Sequence, residues 1–405
     1  MPACLSSHAQ LIERFERLDA FLQQHQTLWR PRPFTQHKLP WEADHPALSH
    51  WLRRRSLRDA EDAHNQPEQL PAPAPFRELA EQAKALSDVN MLSRQLGGHA
   101  NAHPPADVPG RKWQQIQAFD AALTFSERPR HWLDWCAGKG HLGRQLAASG
   151  GTLTCLEKDM ALVTAGMRLS QRMGIKANHR QQDVLGDDAA EQLNPTLTPV
   201  ALHACGDLHV RLLKLSIQQR CPQLAVAPCC YNRIQTDHYE ALSSKGQRSE
   251  LQLSRDDLGL PLSETVTAGA RERRQRDQSM AWRLGFDLLQ RELRADDSYL
   301  PTPSLPSAWL KRTFEDYCRH LVALKGLPEP HNCPWTSLEQ RGWQRLAEVR
   351  NLELLRALFR RPLEIWLLLD RALLLAEHGY GVQLGTFCPS SLTPRNLLLV
   401  AERNG

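Results

Sequence analysis

The stretch His131–Gly143, HWLDWCAGKGHLG, constrains this chain more than any other. An apolar run leads into Asp134, a small-residue turn follows, and Leu142 opens a helix-compatible stretch through Ala148. This order predicts a buried strand, a tight glycine loop and a helix N-terminus. Gly138, Gly140 and Gly143 have the spacing G-x-G-x-x-G. Glycines at such a turn let backbone N–H groups come close to a ligand, with the helix N-terminus behind them. Glycine turns after strands are common, so the loop alone admits a nucleotide site and an ordinary turn equally.

The residues downstream narrow the choice. Asp134 stands at the strand end, before the glycines. A second strand-like run, Thr152–Leu156, ends in Glu157. A carboxylate there accepts both hydroxyls of an adenosine ribose. A third short run ends at Asp183, placed to meet the adenine amino group. Three acids at three successive strand ends resemble the class I S-adenosylmethionine (SAM) dependent methyltransferases. The resemblance implies SAM as cofactor. It would lie across Asp134, Cys136, Ala137, Gly138, Gly140, His141 and Leu142. Glu157 and Lys158, Asp183 and Val184, and His203 would complete its site.

Size and composition set outer bounds. With 405 residues and 41% apolar content, two or three domains are expected. No apolar run approaches the ~18 residues of a membrane span. The start, MPACLSSHAQLIERF, lacks the basic-then-apolar pattern of a signal peptide. Ten cysteines without paired spacing fit a reduced cytoplasm. A net charge of +5 permits an RNA partner without requiring one. Oligomeric state is left open.

Four consecutive segments are expected. Residues 1–108 read as a helical N-terminal region, with helical periodicity over Ser7–Trp29 and Phe76–Leu96, a proline-rich bend at Asn65–Pro75 and a loop at Gly97–Gly110. Residues 109–231 alternate strands and helices, which predicts a doubly wound α/β, Rossmann-like sheet. Its fourth strand, Pro199–Ala204, leads into His203-Ala204-Cys205-Gly206-Asp207, and its fifth, Leu224–Ala227, into Pro228-Cys229-Cys230-Tyr231. Residues 232–335 break the rhythm and read as a substrate-side insertion, with helices at Met280–Leu293 and Ala308–Leu324. The cluster Arg271, Arg273, Arg274 and Arg276 in it has two readings, a solvated helix face or a phosphate-binding surface. Residues 336–405 give helices over Ser337–His378 and a closing strand pair, Tyr380–Phe387 and Asn396–Ala401.

A narrower resemblance follows from Asp134–Leu142 (DWCAGKGHL), Leu202–Leu208 (LHACGDL), Pro228–Tyr231 (PCCY) and Thr393–Asn396 (TPRN). These resemble the methyltransferase-like twenty-five family. One departure stands out: the usual loop begins Asp-x-Gly, and here Cys136 occupies the glycine position. Cysteine tolerates positive φ poorly, so the turn is expected to differ there.

Methyl transfer from a sulfonium is an in-line displacement, and the enzyme mainly positions the acceptor and excludes water. The ends of the fourth and fifth strands should line the acceptor pocket, which nominates His203, Asp207, Cys229, Cys230 and Tyr231. Pro228–Tyr231 sits where nitrogen-methylating enzymes carry Pro-Pro-aromatic, so Tyr231 would stack on a base. Small buried residues packing under the cofactor are an equal reading for Cys229 and Cys230. Cys136, Cys205, Cys229 and Cys230, with His141, His203 and His209, raise a metal or iron–sulfur alternative. No C-x₂-C pair is present and adjacent cysteines chelate poorly, so no metal is expected. The favoured function is methylation of a nitrogen on an RNA base, transfer or ribosomal. A protein side chain and a nicotinamide-dependent oxidoreductase remain as alternatives.

Overall fold

The computed structural model describes residues 7–93, 108–148, 150–263 and 270–404. Most of the loop expected at Gly97–Gly110 lies outside the described residues. The chain divides into two units by contact. The first comprises residues 1–23, 86–264 and 362–405, and the second 24–85 and 265–361. These limits cut across the four consecutive segments read from the sequence, because helices distant in the chain pack together within each unit.

The first unit holds a seven-stranded sheet, with strands β1 His131–Trp135, β2 Thr152–Glu157, β3 Ala177–Gln181, β4 Thr198–Cys205, β5 Gln223–Cys229, β6 Tyr380–Thr386 and β7 Leu397–Arg403. Their order is β3-β2-β1-β4-β5-β7-β6. β1 to β5 run parallel, while β7 is antiparallel to both β5 and β6. This is the Rossmann-like class I architecture expected from the alternation and the closing strand pair. β5, QLAVAPC, is buried along its whole length, as a central strand covered on both faces must be. Side chains from Trp113, Phe119, Leu146, Leu153, Val200 and Leu398 form one apolar cluster on the sheet. The strand order reverses between β1 and β4, and ligands in such sheets bind beyond the strand carboxyl ends at this point.

The helix His8–Gln24 docks in the same unit through the Phe15 and Trp366 rings, 5.1 Å apart, and a 2.9 Å bond from Trp366 Nε1 to Asp19. No described helix is long and apolar enough to cross a membrane.

The second unit is helical. The helix Ala270–Arg294 begins ten residues before the expected start and takes in the whole arginine cluster. Charge masked its periodicity: apolar residues enter only from Met280 onward. Trp282, Phe286 and Leu289 pack with Phe314, Tyr317 and Leu321 in one core, and Ala281 and Leu284 with Leu346 and Val349 in another.

Candidate active site

The glycine loop is held from beneath by Asp134. Its side chain is 3% exposed and accepts a 2.9 Å bond from the Gly143 N–H. Burial pushes this carboxyl up to about 7, against the pull of the Gly143 N–H and the Arg144 and Lys112 charges. A Cβ on Gly143 would lie 2.5 Å from Leu153 and 3.0 Å from Asp134, so the helix His141–Ala147 can approach β1 only with glycine there. Gly138 faces open space. Cys136 adopts φ +57, so the turn keeps the left-handed conformation of the usual glycine, contrary to the expected difference. The surrounding loop over-determines it: the Ala137 N–H donates to the Leu156 carbonyl at 2.9 Å.

Glu157 ends β2 beside this loop. Its Oε2 accepts from the Gly138 N–H at 2.9 Å and its Oε1 from the Asp159 N–H at 3.0 Å. Lys158 pairs with Asp183 at 2.7 Å, and Val184 behind it is buried. His141 and Leu142 are also buried, and His141 bonds Arg144 at 2.9 Å. Any part for these two is through the shape of the loop.

At the carboxyl ends of β4 and β5, His203 takes φ +67 and Cys230 φ +46. With Cys136, this puts left-handed non-glycine residues at the carboxyl ends of β1, β4 and β5. Such strain persists where structure enforces it and gathers at functional sites. His203 Nε2–H donates to Gln115 at 2.8 Å, leaving Nδ1 as the acceptor nitrogen. Burial first, then the Arg395 and Lys112 charges, draws this ring down to about 4. Asp207 accepts from the Gln235 N–H at 2.8 Å and donates its own N–H to the Arg233 carbonyl at 3.0 Å. It therefore fixes the turn after β5. Gly206, at φ +52, lets that turn close, since a Cβ would sit 1.9 Å from the Arg233 carbonyl oxygen. Beside the turn lies a cavity of about 320 Å³, lined by residues including Asp207, Arg211, Lys214 and Tyr239.

Tyr231 corrects the sequence expectation. It is 1% exposed, lies under the Arg371 guanidinium at 4.9 Å and meets His209 edge-on. A ring this deeply buried, with a guanidinium over one face, has no open face for a base to stack on. His141 and His209 are likewise committed within the protein, which removes them as metal ligands. The reading from sequence passed over Gln115 and Arg395, and named Cys205 only in the metal alternative. Arg395 belongs to the quoted TPRN element, so its presence there was a usable signal; Gln115 had none.

Cys205 and Cys229 face each other with Sγ atoms 3.5 Å apart. The Cys229 thiol, with help from Cys230, Arg233 and Arg395, draws Cys205 down to about 6 against burial. Cys229 moves in the opposite direction because Cys205 opposes its ionisation. Burial pushes Cys136 up to about 12.

Two histidines tie the site to acid stability. His209 donates Nδ1–H to the Ala204 carbonyl at 2.9 Å and accepts at Nε2 from Arg371 at 2.7 Å. Burial, then the Arg371 charge, holds it well below the usual histidine range. His179, hydrogen-bonded to Ser170 at 2.8 Å, is lowered to about 4 by burial and by Arg144. Both stay neutral where the unfolded chain binds a proton. Their contribution is therefore full above about pH 6.5 and is lost as pH falls, at up to about 1.4 kcal/mol per pH unit for the fully buried His209. Asp134 acts oppositely, costing stability as pH rises from about 4 toward about 7. His203 and His64, also lowered to about 4 by burial, act in the same direction, and these histidines outweigh Asp134, so urea unfolding should show stability falling from pH 6.5 to pH 5. His179→Gln should flatten that slope; an unchanged slope would exclude His179 as a contributor.

Residues 111–237 match the family described as a methyltransferase domain, which is under a third of the chain. Several solved structures are similar over part of their length. One is the Pyrococcus abyssi tRNA (uracil-54, C5)-methyltransferase in complex with S-adenosyl-L-homocysteine, at 17% identity over 29% of each chain and TM-score 0.24. Another is an rRNA methylase from Streptococcus thermophilus, at 10% identity over 30% of this chain and 72% of that one, TM-score 0.23. A third is geranyl diphosphate C-methyltransferase from Streptomyces coelicolor A3(2), at 12% identity, 38% and 65% coverage and TM-score 0.25. This chain spans 29% of the first of these structures. The family match, on this sheet order and this glycine loop, makes the first unit's core a class I SAM-dependent methyltransferase domain.

Proposed function

We propose that this SAM-dependent methyltransferase domain serves to methylate a nitrogen on a structured RNA base, in transfer or ribosomal RNA of the cytoplasm. One observation carries the choice of acceptor. Arg271, Arg273 and Arg274 stand exposed on the first turns of the helix Ala270–Arg294, and none pairs with an acid among the described residues. Cations at a helix N-terminus oppose the helix dipole and cost stability. Their presence there is better explained by a polyanion than by folding. Arg276 differs: it is half-buried and 3.5 Å from Asp277. The motifs Asp134–Leu142, Leu202–Leu208, Pro228–Tyr231 and Thr393–Asn396 support membership of the methyltransferase-like twenty-five family.

In this reading SAM lies over the glycine loop, with Glu157 on the ribose and Asp183 toward the adenine. Cys136, Ala137, Gly138 and Gly140 supply the close backbone, and Lys158 and Val184 flank the adenine end. A base nitrogen already carries the attacking lone pair, so no residue need act as nucleophile. His203 Nδ1 accepts from the target amine and orients it, with Gln115 fixing the ring. Asp207 holds the turn that presents Cys229 and Cys230. The domain's part would be to exclude water and hold the acceptor nitrogen in line, while SAM, when bound, would supply the methyl group.

RNA binding through arginines releases condensed counterions, so affinity falls steeply with salt. Neutralising Arg271, Arg273 and Arg274 together should reduce the log–log salt slope by about 2–3, while SAM affinity stays as it was. An unaltered slope removes the cluster from the interface. The acceptor itself is read by deleting the gene and comparing nucleosides in total RNA with methylated residues in the proteome. Loss of one modified nucleoside is the expected result. An intact nucleoside profile with a lost protein methyl mark would overturn the RNA reading.

A further inference from the structure

We infer that Cys205, Cys229 and Cys230 form a binding site for a thiophilic divalent cation of the zinc type. The sequence argued against a metal because no C-x₂-C pair is present and adjacent cysteines chelate poorly; in an extended strand such neighbours point to opposite faces. The backbone removes that objection. Cys229 ends β5, and Cys230 turns into the left-handed region at φ +46. Alternation stops there, and the Sγ atoms of all three residues lie within 4.8 Å of one another.

Topology brings the third thiol. Cys205 and Cys229 are Cα partners across β4 and β5, past the irregularity that begins after Leu202. That irregularity contains His203 at φ +67. Two strained residues thus converge three sulfurs on one point, a cost that packing alone does not require.

The separations suit a metal. Thiolates about 2.3 Å from a tetrahedral zinc lie about 3.8 Å from each other. Cys205 and Cys229 are already at 3.5 Å, well beyond a disulfide bond length of about 2.05 Å. Three thiolates around a divalent cation carry one net negative charge, and the positive fields of Arg233 and Arg395 act on the same cluster. Cys136 stands outside the group. Three protein ligands leave the fourth position to water or an acceptor atom, the pattern of metal sites that take part in chemistry. The site stands independently of the RNA reading.

The full chain, reduced and stripped with a chelator, is loaded with zinc anaerobically, desalted and analysed for metal. About one zinc per chain is expected, and cobalt in its place should give thiolate-to-cobalt charge-transfer absorption. Cys205→Ser, Cys229→Ser and Cys230→Ser should each lose most of the retained zinc, while Cys333→Ser, in the other unit, should keep it. Because Cys229 is buried and its variant can misfold, alkylation of the wild type mapped by mass spectrometry gives a second readout. Zinc should protect Cys205 and Cys230, which are half-buried and reactive without it, and leave Cys333 reactive. Retention below about a tenth of an equivalent would overturn the site. So would full retention in all three variants, unprotected thiols, or a Cys205–Cys229 disulfide formed by a reduced chain that takes up no zinc. SAM calorimetry on the same preparations keeps this outcome separate from that of the methyltransferase assignment.

Discussion

Replacing Glu157 with alanine is expected to weaken SAM binding by about a hundredfold or more. The carboxylate ends β2 and already accepts two backbone bonds, from Gly138 at 2.9 Å and Asp159 at 3.0 Å. An ionised carboxylate offers about four lone-pair sites, so two stay available for ribose hydroxyls. Hydrogen bonds to a charged group are worth about 1.5–3 kcal/mol each, and a tenfold change in affinity is about 1.4 kcal/mol. Alanine would remove the hydroxyl acceptors and also release the Gly138 N–H, which shapes the loop. Glu157→Gln should fall between wild type and alanine, since one oxygen remains while the new amide faces backbone donors. Calorimetric titration with SAM reads both variants. Wild-type affinity in Glu157→Ala would remove Glu157 from the ribose site.

The parts of this site that were legible in the sequence are those set by local chemistry. Glycine spacing, a preceding acid and short apolar runs each depend on a few neighbouring residues. They placed β1, β2, β4 and the closing strand pair to within a residue or two. What stayed hidden depends on partners far along the chain. Tyr231 looked like an exposed stacking ring because nothing nearby covers it; its cover is Arg371, 140 positions on. The pairing of Cys205 with Cys229 required the β4–β5 register, and the approach of Cys230 required a positive φ that its side chain does not advertise. The helix start at Ala270 was placed ten residues late because exposed arginines carry no apolar rhythm. The two-unit division arises from packing such as Ala281 and Leu284 on Leu346 and Val349, which no linker composition announces.

Asp370 shows the same dependence on distance, and its replacement by alanine should cost the first unit about 3–5 kcal/mol. The side chain is fully buried in the helix Arg360–Glu377. It accepts from Tyr239 Oη at 2.6 Å, the Leu242 N–H at 2.8 Å, the Ser243 N–H at 2.9 Å and Ser243 Oγ at 2.6 Å. All four donors come from the segment after β5 that lines the cavity beside the Asp207 turn. Alanine would strand them away from water, and each buried donor left without an acceptor costs about 1–3 kcal/mol. The hydroxyls can turn toward other acceptors, but the two backbone N–H groups cannot. Asn, with one oxygen kept and an amide N–H₂ set against donors, should recover only part of the loss. Urea unfolding measures the total, and hydrogen exchange over residues 239–246 locates it. That segment should exchange faster in Asp370→Ala, while the Gly138 and Gly143 amides, held by Glu157 and Asp134, keep their protection. A loss below about 1 kcal/mol, or faster exchange at the glycine loop instead, would show that Asp370 does not anchor this wall of the cavity.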